Sequence, residues 1–559
     1  MAPTVGDSNE SGLAQGKDGH LGATQHNEDT HVSTAELALE ARRGADAEHH
    51  MSLLEAIMMY KKAVGWSVLL SSTLIMEGYD LALVGNLYAS PMFNQKYGVL
   101  NPATGKYVIS AAWQSGISNG ARAGEIFGLI IAGWTADRYG YKMTTIGSLI
   151  FLIGCIFVLF FAPNIETLVA GCVLCGIPWG AFQSVTPAYA SEVAPTRLRP
   201  YLTTFINMCW VIGQFASAGV NRATVNRTDE WAYRIPYAVQ WVWPIPILAG
   251  LVFAPESPWW SIRHNDRRAA KRSLLRLTAR NQPGFNVDET LAMMEHTNAM
   301  EKQLKEGVTY RDCFRGVDRR RSEVVIGIWL VQTLGGQNIM GYFTYFLTQA
   351  GMDPANSFSL SMGNSALGIV GTAASWFLMS RVGRRKIHFF GLCCQLVILF
   401  IVGCLSFSTT RASVWAIGGL LILFTFVYDL GVGPVTYSLV SELSSTRLKA
   451  KTIVLARAAY NASNIFVNVM TNYQLSSAAW NWGARTAFFW AGTCFLSCVW
   501  VYFRLPEPKD RTYAELDMLF EQKVSARKFA ETKVDPYSDE ASDEKRLSTA
   551  TAEEKKAGE

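Results

Sequence analysis

Apolar and polar residues are gathered into separate blocks along this chain. A helix that crosses a bilayer core of about 30 Å needs about 20 apolar residues. A window of that length finds six such segments, near 66–90, 107–135, 143–162, 167–190, 201–221 and 236–254. A polar stretch at 261–321 follows, and then six more segments near 323–349, 359–379, 387–407, 413–440, 452–474 and 485–503. The first 60 residues and those beyond 506 are also polar. The pattern predicts an all-α membrane protein with twelve transmembrane helices in two six-helix halves. A disordered tail at 1–60 would precede a first half at 61–254, a central loop at 255–321, a second half at 322–505 and a tail at 506–559.

The two halves repeat. Ser191-Glu192-Val193-Ala194-Pro195-Thr196-Arg197-Leu198-Arg199 follows the fourth segment, and Ser441-Glu442-Leu443-Ser444-Ser445-Thr446-Arg447-Leu448-Lys449 follows the tenth. Asp137-Arg138-Tyr139-Gly140 follows the second, and Ser380-Arg381-Val382-Gly383-Arg384-Arg385 the eighth. Pro255-Glu256 ends the sixth and Pro506-Glu507 the twelfth. Three landmarks in one order, at offsets close to 250 residues, argue for two homologous halves. Such halves place a substrate site near the midplane between them.

Composition narrows the class. Hydrophobic residues make up 50% of the 559 and charged residues only 17%, against about 25% in soluble domains. A secreted protein, a disordered protein and an ordinary cytosolic enzyme are thereby excluded. A net charge of +5 gives no case for a nucleic-acid partner. Nine of the ten cysteines lie in apolar stretches, with neither disulfide nor metal spacing. No nucleophile–base set or nucleotide loop points to an enzyme, and no cofactor is expected.

Basic residues mark the cytosolic side. The loops after spans 2, 4, 8 and 10 carry the Arg and Lys residues quoted above, and the central loop carries Arg263, Arg267, Arg268, Lys271, Arg272 and Arg276. Both termini are therefore expected in the cytosol. Arg222, Arg227 and Arg234 in the 5–6 loop run against the rule, partly offset by Asp229 and Glu230.

Several of these motifs also carry a family resemblance. Asp137-Arg138-x-Gly140, Arg381-x-Gly383-Arg384-Arg385, Pro255-Glu256-Ser257, Gln332-x-x-x-Gly336-x-Asn338 and Pro506-Glu507 resemble the sugar-porter branch of the major facilitator superfamily. Met76-Glu77-Gly78-Tyr79-Asp80, Gly176-Ile177-Pro178-Trp179-Gly180-Ala181-Phe182-Gln183 and Tyr201-Leu202-Thr203-Thr204-Phe205 resemble fungal α-glucoside permeases of the maltose and general α-glucoside type. The resemblance implies the major facilitator fold and a multi-pass carrier of the plasma membrane that moves a small sugar. It also implies a proton as the coupling ion. The protein is expected to act as a monomer in the lipid bilayer.

Charges within the spans are expensive and mark function by default. Glu77 and Asp80 are three apart, on one helix face. Two close carboxylates resist joint ionisation, so the pair is expected to hold a proton near neutral pH. Arg122 and Glu125 have the same spacing and offer a structural ion pair as an equal reading. The resemblance implies proton-coupling roles for Asp80, Glu125 and Arg457. One departure counts against coupling: Cys172 stands where proton-linked sugar porters usually carry an Arg partner for the first-span Asp.

A sugar site needs amides, hydroxyls and an aromatic face. Asn338 and Tyr342 share a face of the seventh span, with Gln332 before them, and Asn207 and Gln214 share a face of the fifth. The resemblance implies sugar contacts for Gln332, Asn338, Asn207 and Gln214, and adds Tyr437 and Asn461. Asn364 misses the usual eighth-span Asn position, where Gly368 falls, and Trp179 and Trp210 read as core or lipid-facing aromatics. Asp137, Arg138, Glu192, Arg199, Glu256, Arg381, Arg384, Glu442 and Lys449 resemble the charge network that closes the cytosolic gate, with Arg199 and Lys449 as partners for the two glutamates. The sequence thus reads as a proton-coupled importer of an α-glucoside such as maltose. A hexose or polyol uniporter and a non-transporting sugar receptor remain as alternatives.

Overall fold

A computed structural model describes residues 52–532, apart from 103–104, 196–197, 280–285, 306–308, 350, 409, 446–447, 477–478, 510 and 512. Long helices stand where the apolar blocks predict them. Eight are long and apolar enough to cross a membrane: Lys61–Leu87, Ala111–Phe160, Ile165–Val193, Trp231–Phe253, Gly316–Gly341, Arg384–Leu405, Arg411–Leu443 and Gly483–Arg504. The fifty-residue helix makes two crossings, so these eight give nine. Arg199–Thr224, Pro354–Arg381 and Lys449–Leu475 complete twelve. Those three are long enough but less apolar, because they carry Asn207, Gln214, Asn364, Arg457, Asn464 and Asn468. Large apolar side chains stand exposed around the belt, among them Phe127 at 61%, Phe377 at 73% and Phe390 at 71%. Apolar surface on that scale has lipid as its natural solvent.

Gly140 makes the sharp bend between the second and third spans. Its φ of 88° lies in the left-handed region, which costs glycine least. The second and fourth spans cross through glycines. A Cβ on Gly124 would overlap the backbone at Val173 and Gly176, and one on Gly180 would overlap the backbone of Glu125. The seventh and tenth spans are each interrupted at mid-depth by a π turn, at Thr333–Gln337 and Tyr428–Val432. Such turns free backbone groups and re-aim side chains, and they gather at functional sites.

The polar stretches carry structure as well. Within the predicted N-terminal tail, helix Leu53–Met59 is capped by Ser52 and Glu55; residues 1–51 lie outside those described. In the central loop, helices Pro258–Arg263, Arg267–Leu277 and Val287–Lys305 share a small core of Ile262, Ala270, Leu274, Leu291 and Met294. After 506, helix Tyr513–Glu521 buries Leu516, Leu519 and Phe520, with Phe529 packed on Phe520. Strands Val99–Asn101 and Lys106–Val108 pair as an antiparallel hairpin between the first and second spans.

Close backbone approach at the 2–4 crossing leaves no room for a side chain. Gly124→Leu is expected to force the helices apart and to abolish accumulation of folded protein. Gly133→Ala on the same helix, where a Cβ meets nothing within 4 Å, is expected to leave it unchanged. Size-exclusion profiles of a fluorescent fusion check both.

Candidate functional site

The predicted carboxylate pair of the first span has two different surroundings. Glu77 is fully buried and accepts a hydrogen bond from Gln183 Nε2 at 2.5 Å. Gln183 Oε1 accepts in turn from Arg457 Nε at 3.0 Å. One amide of the fourth span therefore joins a carboxylate of the first half to a guanidinium of the second. Arg457 also lies over the rings of Trp210, Trp329 and Tyr460, at 5.4, 4.7 and 4.6 Å from their centroids. Cation–π attraction strengthens when the site is dry. Arg122 pairs with Glu125 at 3.0 Å, the structural ion pair that their spacing allows.

Asp80 is buried too, yet neither carboxyl oxygen has a hydrogen-bond partner among the described residues. It is not hydrogen-bonded to Glu77, because Glu77 is drawn towards Gln183 and Asp80 faces a cavity. Mid-bundle, the described residues place four carboxyls, Glu77, Asp80, Glu125 and Asp429, against two guanidiniums, Arg122 and Arg457. Two carboxyls are left without a cation. Burying an unpaired charge is so costly that a carboxyl binds a proton instead.

The cavity lies between the halves. From the first half it is lined by Asp80, Arg122, Cys172, Trp179, Asn207, Trp210 and Gln214. From the second it is lined by Gln337, Asn338, Tyr342, Asn364, Tyr428, Asp429, Tyr460, Asn464 and Asn468. Four of the predicted substrate residues, Asn338, Tyr342, Asn207 and Gln214, thus share one cavity. Gln332, Tyr437 and Asn461 do not line it. Gln332 is buried behind the wall, donating to Tyr428 Oη at 2.5 Å; Tyr437 packs edge-on against Trp329; Asn461 is fully buried. Trp179 and Trp210, read from the sequence as core or lipid-facing, border the cavity, and so does Asn364. Cys172 is in the wall with Asp80, where the resemblance leads one to expect a cation.

At the end of the bundle remote from the termini, neutral polar groups join the halves. Asn472 Nδ2 donates to Ser115 Oγ at 3.4 Å and Asn468 Nδ2 to Asn119 Oδ1 at 3.3 Å. Tyr342 Oη donates to Ser118 Oγ at 2.9 Å, and Thr344 Oγ1 to Asn86 Oδ1 at 2.8 Å. Asn338 belongs to this seam through its 2.7 Å hydrogen bond to Asn468 Oδ1.

The opposite end is held by charges, in two matching arrangements. Glu256 accepts from the backbone N–H groups of Tyr141, Lys142 and Ser257 at 3.1, 3.1 and 3.0 Å, so it sits where the third span begins. Burial holds its carboxyl above the ordinary range, against the pull of those donors. Glu507 accepts from Arg384 and Arg385 N–H at 2.8 and 3.2 Å, at the start of the ninth span. An anion at a helix N-terminus satisfies orphan donors and complements the dipole. Glu507 was absent from the predicted gate, although the Pro-Glu repeat pointed to it. Glu442 pairs with Arg384 at 3.4 Å, within one half.

Glu192 pairs with Arg263 of the central segment at 2.8 Å and accepts from Tyr141 Oη at 2.8 Å. That corrects its predicted partner. Arg199 donates instead to the Ser191 carbonyl at 2.7 Å, because the chain turns back on itself between them. The side chain of Lys449 lies outside the described residues. Arg138 stacks over Trp134 and Tyr139, the Asp137 carbonyl accepts from Trp260 Nε1, and the Arg381 carbonyl accepts from Lys509 Nζ.

The comparisons agree with this architecture. The sugar (and other) transporter family matches residues 66–520. A maltose permease of Saccharomyces cerevisiae is 41% identical over 524 residues, 93% of this chain and 85% of its own. A general α-glucoside permease of the same organism is 39% identical over 523 residues, 92% and 85% of the two chains. The structure of the xylose transporter XylE of E. coli bound to 6-bromo-6-deoxy-D-glucose superposes with a TM-score of 0.66 at 17% identity, over 83% of this chain and 99% of that one. That likeness establishes the fold, the major facilitator fold of twelve helices in two halves. The chain belongs to the sugar transporter family and is a multi-pass membrane transporter.

Glu256→Ala leaves buried N–H donors at the head of the third span without an acceptor. It is expected to cost about 1–3 kcal/mol, read as a lower melting temperature of the purified protein. Glu507→Ala is expected to do the same for the ninth span.

Proposed function

We propose that this transporter imports an α-glucoside disaccharide together with protons across the plasma membrane, by alternating access around the central cavity. Similarity to permeases named for maltose and α-glucosides supports the substrate class. The observation that carries proton coupling is Asp80: a buried carboxyl on the wall of an amide-lined cavity, with no hydrogen-bond partner among the described residues. A carboxyl so placed holds a proton while the cavity is dry and yields it when the cavity opens to water. Glu77, Gln183 and Arg457 link the halves beside it, so a change at Asp80 alters the electrostatics of that link. Glu125 keeps Arg122 neutralised. Cys172 supplies no charge and Arg122 is held by Glu125, so in this reading Asp80 works without a fixed cationic partner.

Asn338, Tyr342, Asn207 and Gln214 are read as sugar ligands, with Trp179 and Trp210 offering aromatic faces. Gln332, Tyr437 and Asn461 support the wall from behind. The charged end, with both termini and the central segment, is read as cytosolic; the neutral amide seam is then the outer gate. A monomer suffices, since each chain contains the whole cavity. One proton moving down about 100 mV supplies about 2.3 kcal/mol, enough for accumulation of about fifty-fold at 1.4 kcal/mol per decade.

Sugar added to a weakly buffered suspension of transporter-less yeast expressing the protein is expected to alkalinise the medium. Asp80→Asn is expected to abolish both alkalinisation and accumulation while sparing exchange of labelled sugar, which needs no change of protonation. Uptake without alkalinisation in the wild type would establish the uniporter reading instead.

Asn338→Ala removes an amide that reaches both the cavity and the seam. It is expected to weaken apparent affinity for the transported sugar by one to two decades, the equivalent of about 1–3 kcal/mol, at unchanged surface level. Uptake curves with a tagged protein check this, and an unchanged affinity removes Asn338 from the site.

A further inference from the structure

Asp429 is the buried carboxyl that proton coupling does not use. It stands in the π turn Tyr428–Val432 of the tenth span, is 1% exposed and lines the central cavity from the second half. Oδ1 accepts from Asn207 Nδ2 of the first half at 3.3 Å, while Oδ2 has no partner among the described residues. The carboxyl lies over bare backbone of the eighth span. A Cβ on Gly368 would stand 2.6 Å from Oδ2, and one on Gly371 would stand 3.3 Å from the Asp429 Cβ. The polar group that the eighth span lacks at Gly368 is therefore supplied from the tenth span. It reaches the same space as a carboxyl, with one oxygen already held by the opposite half.

We propose that Asp429 is a sugar-binding residue: Oδ2 accepts a hydrogen bond from a hydroxyl of the bound glucoside, while Oδ1 stays on Asn207 and carries the contact across to the first half. The inference rests on the sugar-transport reading above and adds a ligand to it. The site suits a polyol, because the Asn207 amide that holds the carboxyl also reaches the Thr372 hydroxyl, and Asn364 and Tyr428 line the same cavity. A hydrogen bond from a hydroxyl to that oxygen is stronger in a dry, low-dielectric site than in water. Its loss registers in affinity, and its geometry selects which hydroxyls are recognised.

The test uses the full-length protein, wild type, Asp429→Asn and Asp429→Ala, purified in detergent. Binding is read by sugar-dependent thermal stabilisation with maltose and a series of singly deoxygenated maltoses. Maltose affinity is expected to fall about tenfold or more in Asp429→Ala and by less in Asp429→Asn, which keeps one acceptor. At least one deoxy sugar is expected to bind the wild type about tenfold more weakly than maltose yet to bind Asp429→Asn almost as well as maltose does. Wild-type affinity for maltose in both variants overturns the proposal and leaves the transport reading standing. Equal penalties for every deoxy sugar in wild type and Asp429→Asn also overturn it. Failure of the wild type to bind maltose overturns the α-glucoside reading together with this inference. If Asp429→Ala does not fold, the comparison of wild type with the isosteric Asp429→Asn decides.

Discussion

A guanidinium in the middle of a lipid-embedded bundle has to be satisfied where it stands, since no water is at hand to do it. Arg457 meets that constraint with three aromatic faces and a single amide, Gln183, whose other end holds Glu77. Much of the middle of the protein follows from this arrangement. It brings the fourth and eleventh spans together across the interface between the halves. It also occupies Glu77, so that Asp80, one turn further along, is left to the cavity. Arg122 satisfies itself locally through Glu125, and of the remaining carboxyls Asp80 is left for the proton and Asp429 for contacts that can change.

The two ends of the molecule are held by different chemistry. Carboxylates capping helix starts, at Glu256 and Glu507, tie loops within each half, which lets each half move as a body. The remote end is joined across the halves mainly by amides and hydroxyls, with Arg222 donating to Ser359 Oγ at 2.9 Å as its one cation among the contacts described. Each such hydrogen bond is worth about 0.6–2 kcal/mol, so the seam can be exchanged for sugar hydroxyls without a large barrier. A charged seam would have to be separated and solvated at every cycle.

The sequence made much of this legible. Hydropathy located the crossings, and the repeated Pro-Glu and Ser-Glu landmarks marked the equivalent ends of the halves. Helical spacing placed Arg122 beside Glu125. Other features needed three dimensions. Spacing put Glu77 and Asp80 on one face but did not show that Gln183 would engage only the first. The partner of Glu192 is Arg263, in a segment that read only as a basic loop, because the short helices of the central segment fold it back against the bundle. Asn464 and Asn468 fall at helical intervals after Asn461 and were available to pattern reading. Reliance on family positions favoured Asn461, which is buried outside the cavity, over the two that line it. Periodicity does not show where Asp429 points, since it stands in a π turn, which changes the direction of a side chain.

The central claim is that sugar and proton share one cavity and cross together. Purified protein reconstituted into liposomes, with an imposed inward proton gradient and no other energy source, tests it most directly. The account predicts that labelled maltose rises inside above its external concentration, and that collapsing the gradient with a protonophore returns it to equality. Maltose that equilibrates at the same level with and without the gradient would contradict the account.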